Sequence, residues 1–334
     1  MLSFRLAVSV FLFSAAVAHA QPILDIGRVP YLNEQGRAVY ATFLLANLPR
    51  AVAIAPGGAI GWSGGTGTLG QARQAALASC GEKGALDCRI YGENLDVVWQ
   101  NRAPEPHSVP GPIIETWNYA FVPDERFFWR GPAAAAGLFV WSHGKSSQGH
   151  DLRGAQPPPY VRAFNNAGFD VVRFDRWPLA DEPNRAAGWL RDALPKLRGL
   201  GWRVIVAGGQ SRGAWTSLQI LNTPGLADAI IAISPAAHGS GGSLRLLGQT
   251  DDFRRMLEAA APSHTRVAFV QFQGDLYMGS ADARRDLLEQ TLRSKVGALL
   301  IIDQPPGFMG HEAGNGLLFA QRYGSQLLRF VLWH

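Results

Sequence analysis

Cysteine is nearly absent from this 334-residue sequence, which contains only Cys80 and Cys88. A zinc site built from soft ligands needs four cysteines or histidines, and no histidine lies within fifteen residues of the pair. We therefore predict no metal here, and the neighbouring residues give no support for a catalytic thiol. Two cysteines so close together in an exported chain are expected to pair, so we predict a Cys80–Cys88 disulfide.

The sequence also lacks an apolar run long enough to cross a membrane. Its best candidate, Leu6–Ala18, has about a dozen residues, whereas a transmembrane helix needs about 20. The run follows Arg5 and ends in the small-residue motif Ala18-His19-Ala20, a pattern typical of a secretory signal peptide. We predict that residues 1–20 are removed by cleavage after Ala20. The mature protein is then expected to be periplasmic or secreted, with no stable membrane anchor.

Charge of one sign is not concentrated anywhere in the chain. With 31 Lys and Arg against 26 Asp and Glu, the formal net charge is +5, and no basic run occurs. The strongly basic surface typical of nucleic-acid-binding proteins is therefore excluded, and we predict no nucleic-acid partner. Apolar residues make up 47% of the chain, which excludes a disordered protein and suffices for one large core plus a small module.

A small module precedes the main part of the chain. We interpret residues 21–100 as a small cysteine-paired α+β module, with an irregular start at 23–36, an alanine-rich helix at 71–79 and short strands near its end. Its Gly-rich stretch at 57–67 contains no lysine and does not lead from a strand into a helix, so a hairpin or loop is expected rather than a phosphate-binding loop. Four prolines in residues 101–112 indicate a linker.

Residues 113–334 alternate buried strands with helices. Two antiparallel edge strands are predicted at 114–121 and 126–130, joined by Val122-Pro123-Asp124, and six further strands follow between helical segments. This alternation predicts an α/β fold with a doubly wound, mostly parallel, eight-stranded sheet. Because ligands bind at the carboxyl ends of the strands in such a sheet, the residues just after each strand are the candidate site residues.

One segment combines a buried strand, a sharp turn and a helix. Residues 204–207 are apolar on both faces, residues 214–221 have helical apolar spacing, and Gly209-Gln210-Ser211-Arg212-Gly213 lies between them. The glycines let strand and helix approach closely while Ser211 adopts a strained conformation. This turn resembles the nucleophile elbow of the α/β-hydrolase fold superfamily, in particular its serine esterases, and the resemblance extends over residues 113–334.

The resemblance implies a catalytic triad in the chain order Ser, Asp, His. Ser211 would be the nucleophile. Asp275, which follows a strand in the segment Gln273-Gly274-Asp275, would be the acid. His311, in a Gly-rich loop between the last strand and the last helix, would be the base, because a loop there has the reach to place an imidazole between serine and carboxylate.

Other acids and histidines remain open as alternatives. Asp282 and Asp303 are the rival acids, and we expect the first to cap a helix and the second to end the last strand. The rival histidines also follow strands, and a structural or substrate-facing role is expected for each: His143, His150 and His238.

The resemblance also places the groups that would bind an oxyanion. The donors would be the backbone N–H groups of Arg212 and of Lys145, which follows the pair His143-Gly144. For the Arg212 side chain two roles stay open: pairing with an acidic group of the substrate or, as we favour, a salt bridge to Asp175 or Asp181.

These features predict an exported serine hydrolase that cleaves a small-molecule carboxylic ester through an acyl-enzyme, without a metal or another cofactor. His143 and Tyr277 are predicted to contact the substrate. One alternative is a serine peptidase of the oligopeptidase kind, for whose large gating domain the chain has little room. The other is a non-catalytic binding protein on a hydrolase scaffold, and the complete Ser, Asp and His set argues against it.

Overall fold

The computed structural model describes residues 21–82, 84–104, 106–146, 148–238 and 248–333. The predicted signal peptide, residues 1–20, lies outside these described residues, so its cleavage stays a prediction. Within the described part of the chain, no helix has the length and apolar character needed to cross a bilayer.

The N-terminal module is a four-stranded antiparallel sheet between two helices. Its elements are α1 (Glu34–Leu45), β1 (Arg50–Ile54), β2 (Ile60–Gly64), α2 (Leu69–Gly81), β3 (Arg89–Glu93) and β4 (Asp96–Val97). The strand order is β2-β1-β3-β4. Side chains of β1 point alternately to the two faces, so Val52 and Ile54 pack with α1 while Ala51 and Ala53 pack with α2. The Gly-rich stretch forms the β1–β2 hairpin and its flanks, as predicted.

Helix α1 begins inside the segment expected to be irregular. Residues 22–28 form two short 3-10 turns, but Asn33 caps α1 by accepting a hydrogen bond from Gly36 N at 2.8 Å. The buried face of α1 includes Tyr40 and Phe43, and aromatic residues favour helices only weakly. Packing of this face against β1 therefore stabilises a helix that the local sequence signals poorly.

Cys80 and Cys88 form a disulfide, which confirms that prediction. The bridge joins the end of α2 to the segment before β3. Helix α2 buries only small side chains and lies directly on the sheet, since a Cβ added at Gly61 would be 2.2 Å from Cys80 N. For so thin a core, a disulfide that closes a short loop is a substantial stabilising contribution of about 2–3 kcal/mol.

The main domain, residues 113–334, contains one eight-stranded sheet. Its strands are β5 (Ile114–Glu115), β6 (Tyr119–Pro123), β7 (Gly137–Ser142), β8 (Phe169–Arg176), β9 (Ile205–Gln210), β10 (Ala229–Ile233), β11 (Arg266–Gln271) and β12 (Ala298–Asp303). The order is β5-β6-β8-β7-β9-β10-β11-β12. The first two strands pair antiparallel and the other six are parallel, which confirms the predicted doubly wound, mostly parallel sheet.

The edge strands differ from the prediction. Both lie within residues 114–123, and the turn between them is held by Thr116, whose Oγ1 accepts from Tyr119 N at 3.0 Å. Residues 126–130, predicted as the second strand, form no strand. Phe127 packs in the core under the main sheet, whereas Phe128 packs in the core of the N-terminal module. The apolar residues of this segment thus serve two separate cores instead of one sheet face.

Helices cover both faces of the main sheet, as a parallel sheet requires. They are α3 (Pro159–Asn166), α4 (Pro183–Gly199), α5 (Arg212–Gln219), α6 (Gln249–Glu258), α7 (Ala281–Leu287), α8 (Leu317–Phe319) and α9 (Ser325–Leu332). Helices α4 to α7 pack in the core on one face, and α3, α8 and α9 pack in the core on the other.

The N-terminal module packs against the main domain. Besides the Phe128 ring, Asn166 of α3 connects the two by donating from Nδ2 to Leu44 O at 3.0 Å. Within the predicted linker, residues 101–112, His107 bonds Asp96 of β4 at 2.8 Å and packs edge-on against Phe128.

Candidate active site

Ser211 occupies the sharp turn between β9 and α5. Its backbone has φ 56° and ψ −119°, a strained conformation for a residue with a side chain. Both glycines of the motif are required, because backbone atoms lie too close to them to leave room for a side chain. A Cβ added at Gly213 would lie 1.9 Å from Ser142 O, and one at Gly209 would lie 2.4 Å from the carbonyl carbon of Gly213. Ser211 N donates to Ile233 O at 3.0 Å, which ties the turn to β10.

A cavity of about 840 Å³ opens at the carboxyl ends of the strands. It brings together most of the predicted site residues, since its lining includes Ser211, His311, Tyr277, Lys145, Arg212 and His143. Asp275 does not line the cavity and lies behind His311. The exposed His150 is not among the described residues that line it.

His311 is hydrogen-bonded to a buried carboxylate. Its Nδ1 lies 2.8 and 2.9 Å from the two oxygens of Asp275, whose side chain is only 1% exposed. The carboxylate also accepts from Tyr277 N at 2.9 Å, and the Tyr277 ring lies over the imidazole with 4.4 Å between ring centroids. Nδ1 therefore carries the proton, and Nε2 is buried without a hydrogen-bond partner among the described residues. This leaves one imidazole nitrogen able to accept a proton.

Two contacts hold the loop that carries His311. Gly310 N donates to Gln273 O at 2.8 Å, which joins the loop to the residue two positions before Asp275. Gln210, next to the nucleophile, donates from Nε2 to His311 O at 3.2 Å. Gln210, the first variable position of the Gly-x-Ser-x-Gly motif, is thus a positioning residue that the sequence analysis missed.

The rival acids bond elsewhere. Asp303 ends β12, as expected, and accepts from Gln271 Nε2 at 2.7 Å and from Arg285 Nη1 at 3.1 Å. Asp282 does not cap a helix, because the N-cap of α7 is Ser280, whose side chain accepts from Ala283 N. Asp282 instead lies in the first turn, where a carboxylate interacts favourably with the helix dipole.

Both ring nitrogens of His143 are engaged with the backbone. Nε2 accepts from Arg176 N at 3.0 Å, so Nδ1 carries the hydrogen and donates to Gly144 O at 2.6 Å. Burial, reinforced by the positive charge of Arg176, lowers the pKa of His143 to about 3. The side chain is therefore neutral at physiological pH. Although it borders the cavity, it has no free ring nitrogen for the substrate contact predicted for it, and its bonds shape the loop that leads to Lys145.

A buried ion pair lies behind this loop. Arg176 Nε donates to Asp181 Oδ1 at 2.9 Å, and the guanidinium also donates to Ser142 Oγ at 2.6 Å and to His143 O. Arg176 is completely buried, so these bonds compensate for the loss of hydration. The only sequence signal for this pair was a charged residue at the end of an otherwise buried strand.

The Arg212 side chain does not form the salt bridge that we favoured. Asp181 is paired with Arg176 and Asp175 with Arg173, while Arg212 Nη2 donates to Ala237 O at 2.9 Å. Burial lowers the pKa of the Arg212 guanidinium, and the charge of Asp181 offsets part of this effect.

The backbone around the elbow suits an oxyanion. The N–H of Arg212 belongs to the first turn of α5, where N–H groups lack acceptors within the helix. The loop that carries Lys145 lies against the elbow, since a Cβ added at Gly144 would be 3.4 Å from Ser211 Cβ. The Lys145 side chain is anchored by its Nζ, which donates to Asp181 O at 3.3 Å. Main-chain N–H groups and the positive end of the α5 dipole thus lie beside the serine.

Arg284 is a further buried cation that the sequence analysis missed. It donates from Nη1 to Pro235 O at 2.8 Å and lies over the Phe253 ring. Burial lowers its pKa to about 10, and the nearby charge of Asp275 works against that shift. Arg284 therefore stays charged at neutral pH. The described residues contain no group of three or more His, Cys, Asp and Glu side chains that could hold a metal ion.

No protein-family model and no curated protein matches the chain. Several solved structures are similar to it. The esterase Pf2001 of Pyrococcus furiosus aligns with a TM-score of 0.40 and 14% identity, over 64% of this chain and 86% of that one. Est1E from Butyrivibrio proteoclasticus aligns with a TM-score of 0.45 and 15% identity, over 67% of this chain and 100% of that one. The S-formylglutathione hydrolase of Agrobacterium tumefaciens aligns with a TM-score of 0.40 and 16% identity, over 64% of this chain and 88% of that one.

The geometry of the chain itself identifies the fold. The sheet has eight strands, antiparallel only at one edge, and the crossover β6-β8-β7-β9 places β9 near its centre. The strained serine follows β9 directly and opens a helix, as in a nucleophile elbow. Residues 113–334 therefore have the α/β-hydrolase fold.

Proposed function

We propose that this protein is a serine hydrolase that cleaves carboxylic esters, with Ser211 as nucleophile, His311 as general base and Asp275 as the residue that orients the imidazole. One observation carries the proposal. His311 donates from Nδ1 to the buried Asp275, its Nε2 has no partner among the described residues, and the ring shares a cavity with the strained Ser211. A nucleophile, a base and an orienting group in this arrangement suit acyl transfer.

In the first half of the reaction, Ser211 Oγ attacks the ester carbonyl carbon while its proton passes to His311 Nε2. The carbonyl oxygen becomes an oxyanion, which accepts hydrogen bonds from the backbone N–H groups of Arg212 and Lys145. Asp275 stabilises the imidazolium without taking its proton. The bond between the carbonyl carbon and the alcohol oxygen then breaks, and the alcohol leaves with the proton from Nε2. The products are free alcohol and an acyl group on Ser211.

In the second half, a water molecule repeats these steps. It attacks the acyl carbon while Nε2 accepts one of its protons, and the same N–H groups bind the oxyanion. Cleavage of the bond to Ser211 Oγ returns the proton to the serine and releases the acid. The side chains proposed to act can thus complete the cycle without a metal or an organic cofactor.

A fluorophosphonate probe tests the nucleophile. We expect it to modify the purified protein at Ser211, located by peptide mass spectrometry, and to leave Ser211→Ala unmodified. Ser234→Ala is a matched control, because Ser234 also has a positive φ after a strand but is completely buried. The absence of labelling, or labelling that survives Ser211→Ala, contradicts the proposal. A panel of p-nitrophenyl esters and peptide amides then separates an esterase from a serine peptidase.

We also propose that the protein is exported after cleavage behind Ala20. The Cys80–Cys88 disulfide supports this, because disulfides persist in oxidising compartments. Non-reduced protein from the exporting cell is expected to have the intact mass of a chain beginning at Gln21, with no thiol that iodoacetamide can alkylate. Retention of residues 1–20, or alkylation at both cysteines, overturns the proposal.

A further inference from the structure

Two cations line the cavity of Ser211 without a carboxylate partner. Arg212 donates from Nη2 to Ala237 O at 2.9 Å, and Lys145 donates from Nζ to Asp181 O at 3.3 Å. Both side chains are thus held by neutral carbonyl oxygens, and neither forms an ion pair with a described residue. Their positive charges are therefore available to another anion.

The two acids whose charges act on Arg212 bond to other groups. Asp181 is paired with Arg176, and Glu182 caps α4 by accepting from two N–H groups of its first turn. A third acid, Glu312, lines the cavity but is exposed, so solvent screens its charge. Histidines aside, the described residues of the cavity lining therefore include two cations and one screened anion.

The Arg212 guanidinium is fixed at the cavity wall with one end accessible. Ala237, whose carbonyl accepts from Nη2, lines the same cavity, and Ala236 N donates to Ser211 O at 3.2 Å, which joins this segment to the elbow. Nε is buried and has no partner among the described residues, whereas Nη1 also makes no hydrogen bond with them but is not buried. The N–H groups of Nη1 are thus the accessible donors of a guanidinium that is otherwise immobilised.

A carboxylate is the group that this arrangement suits. A guanidinium binds planar carboxylates through directed N–H donors, and a hydrogen bond between charged groups is about twice as strong as one between neutral groups. Partial burial of Arg212 strengthens the attraction, because solvent screens it less. Keeping an unpaired guanidinium partly out of water costs free energy, and an anionic substrate recovers part of that cost on binding.

Asp181 relates the two cations in space. Its carbonyl oxygen accepts from Lys145 and its charge acts on the Arg212 guanidinium, so both cations lie on the same side of the cavity. We propose that Arg212 and Lys145 form a carboxylate-binding subsite, and that the protein prefers esters whose acyl part or leaving group carries a carboxylate. This inference rests on the proposed ester hydrolysis at Ser211 and goes beyond it by naming the substrate class.

Matched esters test the inference on the wild-type protein. We would measure kcat/KM for mono-p-nitrophenyl adipate against its methyl ester, which places the carboxylate in the acyl part. A second pair, 4-acetoxybenzoate and methyl 4-acetoxybenzoate, places it in the leaving group. At low ionic strength the charged member of at least one pair is expected to be preferred by about tenfold, and about 0.5 M NaCl should reduce that preference by screening.

Three substitutions locate the subsite. Arg212→Gln keeps the backbone N–H but removes the charge, and it should abolish the preference. Lys145→Gln should reduce it. Arg212→Lys, which retains the charge without the planar fork, should keep part of it. The neutral ester of each pair is the internal reference, so a general loss of activity cannot be mistaken for a loss of preference.

Arg191→Gln is the matched control. Arg191 is also partly buried, and its Nε is buried without a partner among the described residues, but it lines a neighbouring cleft rather than the cavity of Ser211. Its substitution removes the same charge and should leave the preference unchanged.

Three results overturn the inference: equal kcat/KM for both members of both pairs in the wild-type protein, a preference that survives Arg212→Gln, or an equal loss of preference in Arg191→Gln. Failure of the wild-type protein to hydrolyse even p-nitrophenyl acetate contradicts the proposed function itself, and the inference with it.

Discussion

Two histidine–aspartate pairs lie beside the same cavity, and their surroundings differ. His311 pairs with Asp275 and His238 pairs with Asp252, and both histidines line the cavity. The Asp275 side chain is 1% exposed, whereas that of Asp252 is 33% exposed and also pairs with Arg255. Solvent and a directly bonded cation therefore screen the charge of Asp252, while Asp275 acts on its histidine with little screening by solvent.

The two imidazoles also present different nitrogens. His311 bonds its carboxylate through Nδ1 and leaves Nε2, the atom farther from its backbone, without a partner among the described residues. His238 bonds through Nε2 and packs edge-on against Trp215, so its remaining nitrogen is Nδ1. The comparison teaches that a histidine–carboxylate contact alone does not define a base. The nitrogen left free, the burial of the carboxylate and the element that carries each residue are equally important.

Substitution of the two histidines should produce the largest difference. We expect His311→Ala to lower kcat by about six orders of magnitude, as loss of Ser211 also should, because nucleophile and base act as one unit. His238→Ala should lower it only a few-fold. Steady-state kinetics with p-nitrophenyl acetate measure both. If His238→Ala abolishes activity while His311→Ala remains active, the assignment of the base is wrong.

Replacement of the two aspartates sharpens the comparison. Asp275→Asn should lower kcat by about four orders of magnitude, less than loss of the base, because the imidazole remains but loses its orienting carboxylate. Asp252→Asn should change kcat only a few-fold, since the Asp252 side chain is one-third exposed and paired with Arg255. Near-identical kcat values for the two variants would mean that the burial of Asp275 has no catalytic consequence.

A third histidine that lines the cavity, His143, should affect the pH dependence of protein stability rather than catalysis. Its pKa is about 3 in the folded protein and about 6.5 in an unfolded chain, so between these values only the unfolded chain binds the proton. Stability therefore rises with pH across this range and is lost as pH falls. Between pH 7 and pH 5 the loss from this one residue is about 2 kcal/mol.

The variant His143→Gln should lack that contribution, so its free energy of unfolding should fall less between pH 7 and pH 5 than that of the wild-type protein. His150→Gln, at an exposed position, is the control and should follow the wild-type curve. Urea denaturation at the two pH values provides the measurement. Parallel curves for His143→Gln and wild type would show that His143 is not held neutral by burial.

The elbow and its two proposed triad partners were accessible to sequence analysis because each follows a strand of a parallel sheet. The carboxyl ends of such strands meet at one edge, and the resemblance to a nucleophile elbow implied that Ser211, Asp275 and His311 come together. In the structure Ser211 and His311 line one cavity, and Asp275 lies behind His311. The choice between His311 and His238 could not be made locally. It depends on the burial of Asp275 and Asp252, which the packing of whole elements determines.

By itself, the sequence determined the alternation of strands and helices, the Gly-x-Ser-x-Gly turn and the pairing of the only two cysteines. Backbone sterics, burial periodicity and proximity along the chain control these features, and all three act over a few residues. Only the tertiary structure decided that Asp181 pairs with Arg176 and not with Arg212. It also decided that Asn47 of the N-terminal module lines a cavity formed mainly by residues of the main domain. Such contacts join residues far apart in the chain, and their partners are selected by distance and burial in the folded protein.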